Sequence, residues 1–102
     1  MIARLWRGWS APESADSYER MLREDVLPGI QGIEGYHGAY ILRSNEKNKT
    51  AFIIVTLFDS LDSERPFAND TTPMIEPEAR QLLSLFESTA SHYDVRMSPA
   101  MS

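Results

Sequence analysis

Cysteine is absent from this 102-residue chain, which removes disulfides, thiolate nucleophiles and cysteine metal sites together. Positive charge is scarce: ten Lys and Arg stand against fifteen Asp and Glu, for a net charge of −5. A surface that tracks phosphates needs the reverse balance, so nucleic acid is not an expected partner. Long apolar runs are missing as well. No window approaches the ~20 apolar residues of a spanning helix, and residues 1–9, interrupted by Arg4 and Arg7, lack the apolar core of a signal peptide. The expectation is a cytoplasmic protein with no membrane partner, in which the Asn-x-Thr triplets at Asn48 and Asn69 carry no meaning. Histidine is limited to His37 and His92, without HExxH or a comparable spacing, so no metal site is expected. What is present is 42% hydrophobic and 25% charged, enough for one self-sufficient domain over residues 1–96 and a flexible tail at 97–102.

Residues 2–9 read as a strand, with Ile2, Arg4 and Trp6 on one face and Ala3, Leu5, Arg7 and Trp9 on the other. Residues 15–27 read as a helix whose apolar stripe is Tyr18, Met21, Leu22 and Val26. Ser14 or Asp16 is placed to cap it, Glu19 and Arg23 form an i,i+4 pair beside the stripe, and Pro28 ends it. Gly29, Gly32 and Gly35 have turn spacing, not that of a dinucleotide fingerprint. A strand over 36–43, a polar turn at 44–48 and a strand over 50–58 make a hairpin. In the second arm Ala51, Ile53, Val55 and Leu57 form an aliphatic face, while Thr50, Phe52, Ile54, Thr56 and Phe58 form a mixed one.

Ser60 can cap a helix that Pro66 keeps short or kinked, and residues 69–73 read as a loop. Pro77, flanked by Glu76 and Glu78, opens another helix whose stripe is Ala79, Leu82, Leu83 and Phe86. A last strand spans 88–96, with Tyr93 and Val95 on one face and Ala90, His92 and Asp94 on the other. Acids at Glu24, Asp25 and over residues 59–64 read as solvated faces.

This order is βαββαβ, an α+β ferredoxin-like fold: a four-stranded antiparallel sheet with both helices on one face. The mixed face, with Trp6, Phe52, Ile54 and Phe58, is too apolar to leave wet. A second copy is therefore expected to cover it, giving a homodimer that closes into an α/β barrel.

The opening Ala3-Arg4-Leu5-Trp6-Arg7-Gly8, the Leu27-Pro28-Gly29-Ile30 and Gly35-Tyr36-His37-Gly38 segments, Leu57-Phe58-Asp59-Ser60-Leu61, Pro66-Phe67-Ala68 and His92-Tyr93-Asp94-Val95 together resemble the antibiotic biosynthesis monooxygenase family of dimeric α/β barrels. The resemblance covers nearly the whole chain. It implies a lumen for a small aromatic molecule, polyketide or quinol-like, oxidised by dioxygen without metal, flavin or other cofactor. It equally admits relatives that bind heme, sense quinones or lack a known activity. The chain departs from the family at Phe58, where relatives often carry Trp, and at Pro66, where they continue a helix. Heme-degrading members place an Asn in the first strand and a His on the helix after the third strand; this chain has neither, which disfavours heme degradation.

His92 can take or give a proton near neutral pH, or simply be hydrogen-bonded at a strand edge. His37 follows the glycine-rich loop and is expected to face water. Arg4, in phase with Ile2 and Trp6, either holds an anionic oxygen in a lumen or pairs with an acid, for which Asp94 is placed. Trp6, Tyr40, Phe52 and Phe58 either line an aromatic pocket or are plain core. Glu76 and Glu78 suit a helix dipole without chemistry. The functional readings are an enzyme, either a cofactor-independent monooxygenase or a related cyclase or isomerase, a binding or stress-related dimer without turnover, and a solidly packed interaction module.

Overall fold

A computed structural model describes residues 1–68 and 77–99 of the chain. The sequence-predicted loop at 69–73, Glu76 and the end of the tail lie outside the described residues. Strand β1 (Ile2–Ser10) leads through a single 3-10 turn (Pro12–Ser14) into helix α1 (Ala15–Met21), a π-helical segment (Leu22–Val26) and helix α2 (Leu27–Ile30). Strands β2 (Tyr36–Asn45) and β3 (Thr50–Phe58) form the hairpin, closed by the Glu46 N–H donating to the Lys49 carbonyl (2.8 Å). Helices α3 (Leu61–Ala68) and α4 (Pro77–Leu82) precede the short strands β4 (Leu85–Phe86) and β5 (Ser91–Asp94).

The sheet runs β2-β3-β1, with β4 and β5 sharing the far edge of β1, and every pairing is antiparallel. β4 lies opposite Gly8 and Trp9, and β5 lies opposite Ile2 to Leu5, so the fourth strand of the ferredoxin-like order is broken in two. The helices cover one face.

That face is the mixed one. Register pairs Trp6 with Ile54, Gly8 with Phe52 and Ile2 with Phe58, and Trp6, Phe52, Ile54 and Phe58 are buried with Tyr18, Leu22 and Val26 of the helical layer. Tyr18 meets Phe52 edge-on at 5.0 Å between ring centroids, the electrostatically preferred arrangement. Burial raises the Tyr18 pKa well above the ordinary phenol value, so it sits in the core protonated. The expectation that a second copy covers this face is therefore corrected. The open face is the aliphatic one, where Leu5, Ile53, Val55 and Leu57 are only partly covered and Tyr40 and Tyr93 are 55% and 54% exposed. Strand alternation separates two faces but does not say which one the helices choose.

Other expectations also shift. Neither Ser14 nor Asp16 caps α1: Ser14 makes no side-chain cap bond, and Asp16 instead accepts from Arg43 Nη1 at 2.8 Å. That bond holds the Arg43 guanidinium's pKa above its ordinary value. Pro28 does not end the helical run, which continues to Ile30. Proline lacks an N–H and its ring crowds the carbonyl four residues back; the π segment just before it widens the turn, and the Leu27 N–H reaches back to the Leu22 carbonyl. The stripe at Leu82, Leu83 and Phe86 still packs on the core, but α4 stops at Leu82 and Phe86 lies in a strand. The edge of β1 captures this segment, with the Ser84 N–H donating to Trp9 O (2.7 Å) and the Glu87 N–H to Arg7 O (3.0 Å).

Trp6 ties these parts together. Its indole N–H donates to the Glu87 carbonyl (2.8 Å), its ring lies 6.4 Å from that of Phe86, and it passes so close over Gly8 that a Cβ there would stand 2.7 Å from Trp6 Cη2. Gly8→Ala should displace the indole and lower the unfolding free energy by about 1–3 kcal/mol, measured by urea denaturation with tryptophan fluorescence.

Candidate functional site

Strand alternation turns Arg4 under the helices, and register places it between Thr56 of β3 and His92 of β5. Arg4 is 1% exposed. A guanidinium in that position needs an anion, because burying a lone charge is prohibitively unfavourable. The anion is Glu64, itself 1% exposed, whose Oε1 stands 3.1 Å from Arg4 Nε. The same oxygen is 2.7 Å from His92 Nε2. One buried carboxylate oxygen thus joins a guanidinium from the first strand to an imidazole from the last, and the imidazole side chain is 38% exposed.

The start of α3 fixes where Glu64 stands. Ser60 caps the helix, as the sequence suggests, its Oγ accepting from the Ser63 N–H (3.2 Å) while its carbonyl accepts from the Glu64 N–H (3.3 Å). The first turn of α3 therefore ends at Glu64, laid over β1. From below, the Thr56 hydroxyl donates to the Arg4 carbonyl at 3.5 Å.

The structure brings Arg4 and His92 together through a residue that the sequence reading passed over. Glu64 reads as part of a solvated acidic stretch, yet it is buried; the partner foreseen for Arg4, Asp94, is exposed on β5. A usable signal existed. An Arg in phase with the core requires an acid, and Glu64 stands among the acids that follow β3. Trp6, Phe52 and Phe58 share the covered face with Arg4, each fully buried, and Phe58 rests 5.7 Å from the Tyr36 ring. Tyr40 does not join them, because it lies on the open face opposite Val55.

His37 makes a separate exposed pair with Asp59. Beside it an open groove of about 520 Å³ is lined by Ile33, Glu34, Asp59, Asp62 and Ser63. Gly35, at φ +86°, passes so near Ser63 that no side chain fits there. No cluster of three or more His, Asp or Glu suited to a metal occurs among the described residues.

Chemically, the Arg4–Glu64–His92 group can hold an imidazole in place and move a proton at its exposed edge. Removing the carboxylate should be costly, since it strips a buried guanidinium of its counter-charge. Glu64→Gln should lower the unfolding free energy by about 3 kcal/mol, with Glu64→Asp losing less, measured by urea denaturation.

No family model matches the sequence, and no curated protein matches it. Solved structures do match. The heme-degrader MhuD from Mycobacterium tuberculosis, solved with two hemes bound in its active site, is 14% identical over 96% of this chain and 98% of its own, with a TM-score of 0.68. A conserved protein from Methanosarcina mazei Go1 is 12% identical over 93% of this chain and 92% of its own, with a TM-score of 0.70. A protein named antibiotic biosynthesis monooxygenase is 11% identical over 93% of this chain and 98% of its own, with a TM-score of 0.68, and further structural neighbours carry the same name. At 11–14% identity such likeness establishes architecture: the chain has the ferredoxin-like α+β fold found in proteins named antibiotic biosynthesis monooxygenases.

Proposed function

We propose that the chain is a monooxygenase-like protein that acts on a small aromatic molecule without metal or flavin, with His92 as the proton-transferring group. The observation that carries this reading is the partly exposed His92 imidazole held against the buried Glu64 carboxylate. The substrate class is a polyketide- or quinol-like aromatic with an acidic methylene or hydroxyl. For a methylene, His92 removes a proton and the resulting carbanion reduces dioxygen. The CH2 group becomes C=O, one oxygen atom enters the product, and the other leaves as water. All four electrons come from the substrate, so no outside reductant is needed, and the protein supplies position and proton transfer. Trp6, Phe52 and Phe58 give the face around Arg4 its apolar lining.

MhuD takes hemes on this fold. Heme is a disfavoured substrate here, because the chain lacks the first-strand Asn and the His on the helix after the third strand that the resemblance attaches to heme degradation. A second reading, binding without turnover, draws support from the full burial of Arg4, Trp6, Phe52 and Phe58, which a ligand would have to displace to touch. In either reading the partner is a second copy of the chain seated on the open aliphatic face, where Tyr40, Leu42, Leu85 and Tyr93 are all exposed on a contiguous sheet surface.

Native mass spectrometry should show twice the 11.6 kDa chain mass. Oxygen uptake should appear with at least one member of a panel of hydroquinones and anthrones, and His92→Gln should reduce it on the order of 100-fold. Binding with uptake at buffer level throughout would overturn the enzymatic reading in favour of the second one. Equal uptake by His92→Gln would remove His92 from the chemistry.

A further inference from the structure

We infer that Glu64 is a positioning residue that decides which nitrogen of His92 accepts the proton, and that the accepting atom is Nδ1; this rests on the reading that His92 is the base. Arg4 is a buried, permanently charged guanidinium that needs a counter-charge, so Glu64 meets it as an ionised carboxylate, and an ionised carboxylate is acceptor-only. The ring atom 2.7 Å from Glu64 Oε1 is Nε2, which must therefore carry the hydrogen. A neutral imidazole has one N–H, so Nδ1 keeps its lone pair. Nδ1 makes no hydrogen bond among the described residues, while the ring as a whole is partly open to solvent.

The clamp cannot swing freely. Glu64 is 1% exposed, its carboxylate is held by Arg4 Nε on one side and His92 Nε2 on the other, and its backbone sits in the Ser60-capped turn of α3. Arg4 is fixed in turn by β1, between β3 and β5. A sequence distance of sixty residues between Arg4 and Glu64, and of twenty-eight between Glu64 and His92, is closed at a single oxygen atom. Without the carboxylate the imidazole could rotate and either nitrogen could carry the proton. An incoming C–H or O–H acid would then meet an N–H as often as a lone pair. The group is an orienting device of the kind in which an acid fixes a histidine tautomer for catalysis.

The test is ¹⁵N-histidine NMR of the full-length protein without substrate, read on the neutral form of the ring. Wild-type His92 should be the Nε2–H tautomer with a slowly exchanging ring proton visible in water. That proton signal should vanish in Glu64→Gln and persist in Glu64→Asp. Should Glu64→Gln fail to fold, the wild-type spectrum decides alone, because a solvent-facing imidazole loses its ring proton signal to exchange and a Glu64-bound one keeps it. An Nδ1–H tautomer, or a ring proton in fast exchange, would overturn the assignment whatever the protein oxidises. With an active substrate, Glu64→Gln should lower kcat by 10- to 100-fold and leave KM within about threefold, with recovery in Glu64→Asp. A slow Nε2–H signal with no oxygen uptake from any compound would support the clamp and overturn the oxidation chemistry instead.

Discussion

A guanidinium on the covered face of a central strand has to be neutralised where it stands, and in this chain that requirement organises the rest. Arg4 cannot reach water from beneath the helices, since it is 1% exposed. Its counter-ion must arrive from another element, and α3 delivers Glu64 to it. Because the fourth strand runs beside β1 in a register that sets His92 opposite Arg4, the same carboxylate also meets the imidazole. The helix, the first strand and the last strand thus share a polar joint inside an otherwise apolar layer. Such a joint stabilises little compared with apolar packing of the same volume, but breaking it on one side leaves a charge stranded.

Around that joint the packing is set by a few large rings. Trp6 fills the space over Gly8 and is fastened to the Glu87 carbonyl, which holds the segment between α4 and β5 against β1. Tyr18 and Phe52 fill the other end of the layer. Since these rings satisfy the helices, the small and aliphatic side chains of the reverse face are only partly covered by the described residues. The exposure of Tyr40, Leu42, Leu85 and Tyr93 follows from that division of labour. Fold and proposed partner are linked through one alternation pattern: residues that pack the helices exclude those proposed to meet a second copy.

Much of this was legible in the residues. The βαββαβ order, the hairpin, the stripe of Tyr18, Leu22 and Val26 and the Ser60 cap all follow from periodicity and punctuation. The choice of covered face did not, because Ile53 and Val55 on one side and Phe52 and Ile54 on the other look equally fit for burial, and only the fit to a particular helix separates them. Phe86 misled for a related reason: a spacing of seven suits a helix stripe, yet the unpaired edge of β1 offered backbone hydrogen bonds that a fraying helix end could not match. Of the site, Arg4 and His92 stood out as a charge and an imidazole in phase with a covered strand face. Glu64 was hidden among neighbouring acids, because local charge density suggests solvent while burial depends on a partner sixty residues away.

Arg4 and Glu64 act as one unit, and a double-mutant cycle measures that directly. Arg4→Met, Glu64→Gln and the double variant would be compared with the native chain by urea denaturation. The expected result is strong non-additivity, with the double variant more stable than the sum of the single losses implies by about 1–3 kcal/mol. Additivity within about 0.5 kcal/mol would contradict it, and would mean that the buried carboxylate does not hold the guanidinium in solution.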